Sequence, residues 1–481
     1  MPTWPRDIGR FAGWSAGGFV VLVPAGLVLL GLLAAGPVGA ADRWVADGVN
    51  ALVAPHPTLV GVLVVATSLG ATPTAAVVLG TLVAVLLIRR RARLAVYVAV
   101  TAIGGAALSP TLKVLVGRLR PVVPEPVAGA GGYSFPSGHA TTVTIMVGVS
   151  LLVLLPAVPA RWQRALTLAG ICVAVLVGLT RVALGVHFVS DVVAGWLLGS
   201  AWVALTATAF RRWCTADRSP LLLVQGLEPA AGPDLEPAPE HQPPASPWLR
   251  ASWLLVGGVL VLAVLLGAGW MITHIAPGTQ AEAGDLGVVR WLAAHRTAGL
   301  DVVSAWAADL GATIPVFVLG LVAATLALAA LRRWWPVVVL AVGLVGELVL
   351  FLTTAVTIDR PRPPVSHLDA ALPPTSSFPS GHTGAAICLY GGVALIIFVS
   401  TRSWWRWLAV AVSFALVVTI ALARLYRGAH FLTDVLGSVL LAVPWLLMVA
   451  RVVRPPQSSR DRQNSAPAPT ETTPLRPTSR R

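Results

Sequence analysis

Phe135-Pro-Ser-Gly-His139, followed at once by the apolar run 140–156, recurs as Phe378-Pro-Ser-Gly-His382 followed by 383–400. Each run approaches the roughly 20 apolar residues that a helix needs to cross a bilayer. At one and the same distance beyond each serine comes Arg-x5-His-x3-Asp, at Arg181/His187/Asp191 and at Arg424/His430/Asp434. Upstream, Leu69-Gly-Ala-Thr72 is matched by Leu310-Gly-Ala-Thr313. The chain therefore reads as two tandem copies of one unit.

Composition puts both copies in a membrane. Of 481 residues 56% are hydrophobic and only 11% charged, with a mean hydropathy of +0.80. Soluble domains carry about 25% charged residues, so a soluble enzyme and a disordered scaffold are excluded. The net charge of +14 sits mostly at helix ends and in the tail, which removes the nucleic-acid reading. Cys172, Cys214 and Cys388 have no spacing suited to a disulfide framework, a zinc site or an iron–sulfur site.

The predicted fold is an all-α integral membrane protein of two tandem six-helix bundles, about twelve transmembrane helices. In the first copy they lie near 14–35, 71–89, 93–116, 139–157, 164–183 and 188–210. In the second they lie near 252–273, 312–331, 335–357, 383–400, 406–424 and 430–452. The domains are 1–213 and 251–454, joined by a Pro/Ala/Glu-rich linker over 214–250 and followed by a disordered basic tail over 455–481. The stretch 56–88 is assigned one crossing and an interfacial helix, which keeps Arg89–Arg93 on the side of Arg6 and Arg10. Arg161/Arg164, Arg211/Arg212 and Arg451/Arg454 then fall on that side too, so the positive-inside rule predicts cytoplasmic termini in a plasma membrane and motif loops on the outer face. Arg6 and Arg10 before an apolar run also suggest a signal peptide, but the run is long and its repeat partner at 252–273 is internal.

Of the 34 basic residues only Lys113 is a lysine. A cation at a membrane-helix end ordinarily just snorkels, yet arginine would snorkel equally well. A compact ammonium with three donors suits a tetrahedral oxyanion. Lys113 and Arg120, seven residues apart and followed by Pro121, are expected on one helical face. Ser137 is placed as an N-cap, and Gly138 lets backbone approach a ligand, so the first-turn amides form an anion site. A lone Ser-Gly-His would read as a plain cap; its repetition as Ser380-Gly381-His382 argues otherwise. His187 and Asp191 stand at i and i+4, so the carboxylate can hold one ring nitrogen and leave the other as a lone pair. Arg181 can clamp phosphate oxygens, or form a plain salt bridge with Asp191. With no carboxylate cluster for a metal and no cofactor motif, these residues point to metal-independent phosphoryl transfer through a phosphohistidine. Glu347 lies inside an apolar run and is given a structural role, not a catalytic one.

Lys-x6-Arg-Pro, Pro-Ser-Gly-His and Thr-Arg-x5-His-x3-Asp together resemble the motifs of the type-2 phosphatidic acid phosphatase (lipid phosphate phosphatase) superfamily, which shares its site with vanadium haloperoxidases. The resemblance covers both copies. It implies a six-helix core with His187 as nucleophile, Asp191 as its orienter and His139 as general acid. Lys113, Arg120, Ser137, Gly138 and Arg181 would form the phosphate pocket. Thr180 stands where the family usually has serine. The second copy offers His430, His382 and Asp434 as catalytic residues, with Arg360, Arg362, Ser380, Gly381 and Arg424 for phosphate. It departs further from the pattern. Ala355 or Thr353, depending on register, replaces the lysine, Ala423 replaces the hydroxyl residue, and Arg360 is the expected substitute cation. Whether this copy turns over stays open, as do a head-group phosphotransferase and a lipid-binding or transport module. The partner is expected to be a lipid phosphate or pyrophosphate, isoprenyl or phosphatidate-like; the sequence carries no signal for oligomeric state.

Overall fold

The computed structural model describes residues 37–214, 226–237, 246–369, 372 and 376–453, and every regular element among them is helical. The predicted helix at 14–35 and the tail from 455 lie outside the described residues. The chain divides into two compact units, Met1–Pro239 with Thr325–Arg333, and Glu240–Ala324 with Trp334–Arg481. The first contains α1 (Pro37–Val53), α2 (Pro57–Thr67), α3 (Thr72–Ile88), α4 (Ala92–Val116), α5 (Gly138–Leu154), α6 (Ala160–Ala183) and α7 (Val189–Cys214). Downstream follow α8 (Pro247–His274), α9 (Gln280–Ala294), α10 (Ala298–Leu310), α11 (Thr313–Leu331), α12 (Trp335–Thr357), α13 (Gly381–Ser400, with a π-helical turn at Ile387–Gly391), α14 (Trp405–Tyr426) and α15 (Leu432–Val453).

Ten helices among the described residues are long and apolar enough to cross a membrane, and the protein is an all-α, multi-pass membrane protein. Six of the ten belong to the second copy; α4 to α7 supply the other four. α2 and α3 add a pair bent by 42°. Besides the apolar side chains they bury in the cores, the long helices expose others on their outer flanks, as with Leu255 and Leu260 on α8. This is the arrangement expected where lipid replaces water as the neighbour. α9 and α10 are different in kind. Thr279 and Thr297 cap them by accepting from the backbone N–H of Glu282 and Leu300, with acidic residues in the first turns, the signature of helix starts in polar surroundings.

The cores of the two units repeat one device. The indole N–H of Trp202 on α7 donates to the Thr101 carbonyl at 2.9 Å, and that of Trp445 on α15 donates to the Gly343 carbonyl at 3.0 Å. A large ring is thereby buried with its one donor satisfied. Gly70 and Gly311, from the repeated Leu-Gly-Ala-Thr, lie against the first turns of α5 and α13. A Cβ there would stand 3.0 Å from the His139 carbonyl or 3.1 Å from that of His382.

Two expectations change. α4 ends at Val116 and is capped by Gly117 (φ +66°), whose N–H bonds the Lys113 carbonyl. Arg120 therefore does not extend the helical face of Lys113; irregular backbone carries it back to the site. The linker is also not irregular throughout. Residues 226–236 dock on the first unit: Leu227 N–H bonds the Leu152 carbonyl, Leu227 and Ala231 are buried, and Arg91 pairs with Glu228 and Asp234.

Candidate active site

The first-copy site is assembled at one end of the unit from the last turn of α4, the segment 117–137, the first turn of α5, the end of α6 and the α6–α7 turn. His187, 2% exposed, sits in that turn with Nδ1 3.4 Å from Asp191 Oδ2. Asp191 is fully buried and also accepts from Phe188 N–H at 3.0 Å and from Arg118 at 2.6 Å. A carboxylate facing Nδ1 assigns the proton to that nitrogen and the lone pair to Nε2. Arg120 fits this tautomer: its Nη1 lies 3.3 Å from Nε2 while donating to the Val186 carbonyl at 2.7 Å. Further bonds to the Gly131 and Gly132 carbonyls hold the guanidinium in place.

Arg181 is buried, donates to Thr67 Oγ1 at 3.1 Å, and keeps Nε without a hydrogen-bond partner among the described residues. The buried Ser137 hydroxyl also has no partner among the described residues, while its backbone N–H bonds the Asp191 carbonyl at 2.9 Å. His139, half-buried in the first turn of α5, lies within electrostatic reach of Arg181, His187, Lys113 and Arg120. Burial pushes His187 down to about 4; Asp191 pulls it up, and Arg120 and Lys113 push it further down. The ring is thus neutral at ordinary pH, with its lone pair facing cations. Burial also lowers Arg120, opposed by Asp191. Beside this polar end lies a cavity of about 590 Å³ between α3, α4 and α5, with Leu79, Gly80 and Ile103 along it and Lys113, Gly138 and His139 at its polar edge.

The second copy has the same backbone plan and different charges. His430 is buried and donates Nδ1–H to the Ser377 carbonyl at 2.7 Å, with Asp434 Oδ2 at 3.6 Å. Burial lowers His430, Asp434 opposes this, and Arg424 and Arg362 add to it. Ser380, Gly381 and His382 open α13 as Ser137, Gly138 and His139 open α5. Arg360, expected to replace the missing lysine, is engaged elsewhere: it pairs with Asp285 at 2.9 Å and with Asp434. That is the place of Arg118 in the first copy. Arg362 then stands where Arg120 does, donating to the Ala429 carbonyl at 2.9 Å, and the register leaves Ala355 opposite Lys113. Arg424, counterpart of Arg181, pairs with Asp369 at 2.8 Å, and Arg427 pairs with the same carboxylate at 2.6 Å. Burial alone would raise Asp369, but Arg424 and Arg427 hold it below its ordinary value. The cavity here is about 150 Å³, lined by Glu347, Phe351, Arg362, His382, Arg424 and His430.

Sequence reasoning assigned no role to Arg118, Asp42, Asp285 or Asp369. Asp42 and Asp285 carried a usable signal, since they are separated by the same interval as His187 and His430. Asp369 carried none, because Val127 or Pro126 occupies its place in the first copy. Among the described residues no cluster of three or more His, Cys, Asp or Glu side chains stands together as a metal site would require.

A family model described as PAP2 superfamily matches residues 92–214 and again 332–457. Phosphatidylglycerophosphatase B of Bacillus subtilis is 40% identical over 95 residues, 19% of this chain and 46% of the relative. An undecaprenyl-diphosphatase of Sulfolobus acidocaldarius is 34% identical over 128 residues, 25% of this chain and 56% of the relative. A lipid A 1-phosphatase of Rhizobium johnstonii is 35% identical over 125 residues, 24% and 48% respectively. The chain spans about half the length of these curated relatives. A solved structure, the PAP2-type phosphatidylglycerolphosphate phosphatase from Bacillus subtilis, aligns with 40% of this chain and 92% of its own, at 21% identity and a TM-score of 0.35.

Proposed function

From the premise that the chain belongs to the PAP2 superfamily, matched once in each half, we propose that it is a membrane phosphatase that hydrolyses a lipid phosphate or pyrophosphate at the first-copy site. The observation that carries this reading is the His187 ring, held through Nδ1 by Asp191 with Nε2 turned to Arg120. Nε2 attacks phosphorus, the phosphorus–oxygen bond to the lipid breaks, and His139 gives its proton to the leaving oxygen. His139 then takes a proton from water, whose oxygen attacks the phosphohistidine and releases inorganic phosphate and free His187. Lys113, Arg120 and Arg181, with the amides at the start of α5, hold the phosphoryl oxygens. These fixed cations supply the charge stabilisation, so the reaction is assigned no metal.

The apolar cavity supports a lipid over a soluble ester, because a chain along Leu79 and Ile103 leaves its head group at Lys113 and His139. The relatives named above act, by their names, on a glycerophospholipid, an isoprenyl diphosphate and lipid A; the first two classes are the substrates proposed here. Turnover belongs to the first copy. The second lacks the lysine and has Arg424 tied to Asp369, a carboxylate it shares with Arg427, which suits retention of a lipid better than its hydrolysis. The sites face outward in a plasma membrane with both termini cytoplasmic, a reading supported by the arginine clusters at the opposite helix ends.

The test is phosphate release from phosphatidate, phosphatidylglycerol phosphate and undecaprenyl pyrophosphate in EDTA, comparing wild type with His187→Ala. Release that survives EDTA and disappears with His187 is expected. Residual release in His187→Ala would assign turnover to the second copy, and labelled product lipid in place of free phosphate would make the protein a transferase.

A further inference from the structure

Asp42 lies on α1, far in sequence from every motif, and is 4% exposed. One of its oxygens accepts from Arg118 Nη2 at 2.8 Å and from the Ser190 hydroxyl; the other accepts from Ser190 N–H at 3.1 Å. Arg118 continues through Nη1 to Asp191 Oδ1 at 2.6 Å, and its guanidinium lies 4.4 Å from the Phe188 ring centroid. The second oxygen of Asp191 is the one that faces His187. The buried line therefore runs Asp42, Arg118, Asp191, His187. The second unit builds it again as Asp285, Arg360, Asp434, His430, with Thr433 for Ser190 and Phe431 at 4.2 Å from Arg360. The repetition survives although the interval between Arg118 and Arg360 is one residue shorter than that between the histidines. The contact is kept where the spacing slips.

We infer that Asp42 is a positioning residue for His187, acting through Arg118 and Asp191; this rests on His187 being the nucleophile. Phe188 N–H holds the Asp191 oxygen that faces the ring and Arg118 holds the other, so an arginine free to move would let the carboxylate turn about the Phe188 bond and shift against the ring. Asp42 and Ser190 remove that freedom by fixing the guanidinium in its second direction. The three charged groups also set the electrostatics behind the ring. Two carboxylates and one guanidinium leave a single net negative charge, facing the cations Lys113, Arg120 and Arg181 and the imidazole of His139 on the substrate side.

The test uses the full-length protein with phosphatidate and the acid limb of kcat/KM. Arg118→Gln leaves two carboxylates uncompensated, favours the imidazolium, and is expected to raise the limb by about one pH unit. Asp42→Asn removes a negative charge and moves it the opposite way. The double variant restores the net charge and brings the limb back toward wild type. Each single variant lowers kcat about tenfold or more at unchanged KM, the scale of losing an outer-shell orienting group. Charge-keeping Asp42→Glu and Arg118→Lys leave the limb in place and cover the case in which a neutral variant fails to fold. A limb that stays put in every neutral variant that folds, or shifts the same way in both singles, overturns the inference, as does a limb moved by the charge-keeping pair. Full activity in His187→Ala would overturn the reading of the site, a separate result.

Discussion

Gly195 on α7 tests whether the close approach of α7 to the start of α5 sets the catalytic geometry. A Cβ at this position would stand 2.7 Å from the Ser137 carbonyl oxygen, 2.9 Å from Ala140 Cβ and 3.2 Å from Thr141 N. Ordinary contact begins at 3.4 Å, so in Gly195→Ala the first turn of α5 must retreat by about 0.7 Å, the difference between those distances. His139 rides on that turn, whereas His187 is tied to α7 through Asp191. The two histidines are therefore forced apart. Because a misplacement of about 1 Å costs on the order of 100-fold in rate, kcat should fall about 10- to 100-fold. Overpacking should also cost about 1–3 kcal/mol of stability. The second unit has Ser438 at the related position and accommodates it with a bond from its hydroxyl to the Ser380 carbonyl at 2.7 Å. The assay is steady-state phosphate release from phosphatidate beside a thermal melt. Wild-type kcat together with an unchanged melt would refute the argument, since it would mean the helices part freely at that point.

The acid limb of kcat/KM should lie near the value of about 4 to which burial pushes His187, with activity present above it and lost as pH falls through it; a limb at the ordinary histidine value near 6.5 would contradict the burial seen here. The same depression makes stability decline as pH falls from about 6.5 towards 4, where the unfolded chain binds a proton that the folded ring does not, and chemical denaturation across that window reads it. Gly80 lines the large cavity, and a Cβ added there would meet nothing within 4 Å among the described residues, so Gly80→Phe should raise KM for a long-chain lipid phosphate and leave a short soluble ester unaffected; equal effects on both would remove the cavity from chain binding. Asp369→Asn removes the charge that pairs Arg424, while Arg427 keeps its bonds to the Asp301 and Leu368 carbonyls, so calorimetry with orthovanadate should find a second anion site where wild type has one, together with a loss of about 3–5 kcal/mol of stability from breaking a buried pair, reduced in proportion to the exposure of Asp369.

The repeat, the apolar spans and the His187/Asp191 and His430/Asp434 pairs were legible because each is a matter of local spacing. A run such as 140–156 has to cross lipid as a helix, since no other single-segment conformation satisfies its backbone there. Each histidine stands in the turn two residues before its helix and each aspartate in the first helical turn, four residues apart, so chain proximity alone keeps the two close. The sequence was less informative for Lys113 and Arg120, because the helical period was carried past Gly117, where the backbone turns left-handed.

Asp42 against Arg118, Asp369 against Arg424, and the register that puts Ala355 opposite Lys113 came from packing. Their partners are 76 and 55 residues apart, joined through loops that no periodicity describes, and a carboxylate in such a loop looks the same whether it faces solvent or a buried guanidinium. The choice of Arg360 shows the difference most plainly. Two arginines flank one proline in Arg360-Pro-Arg362, and spacing gives no reason to prefer either as the phosphate ligand. Asp285 and Asp434 bind the first of them from two other helices, because a buried guanidinium is held where its donors can all be met.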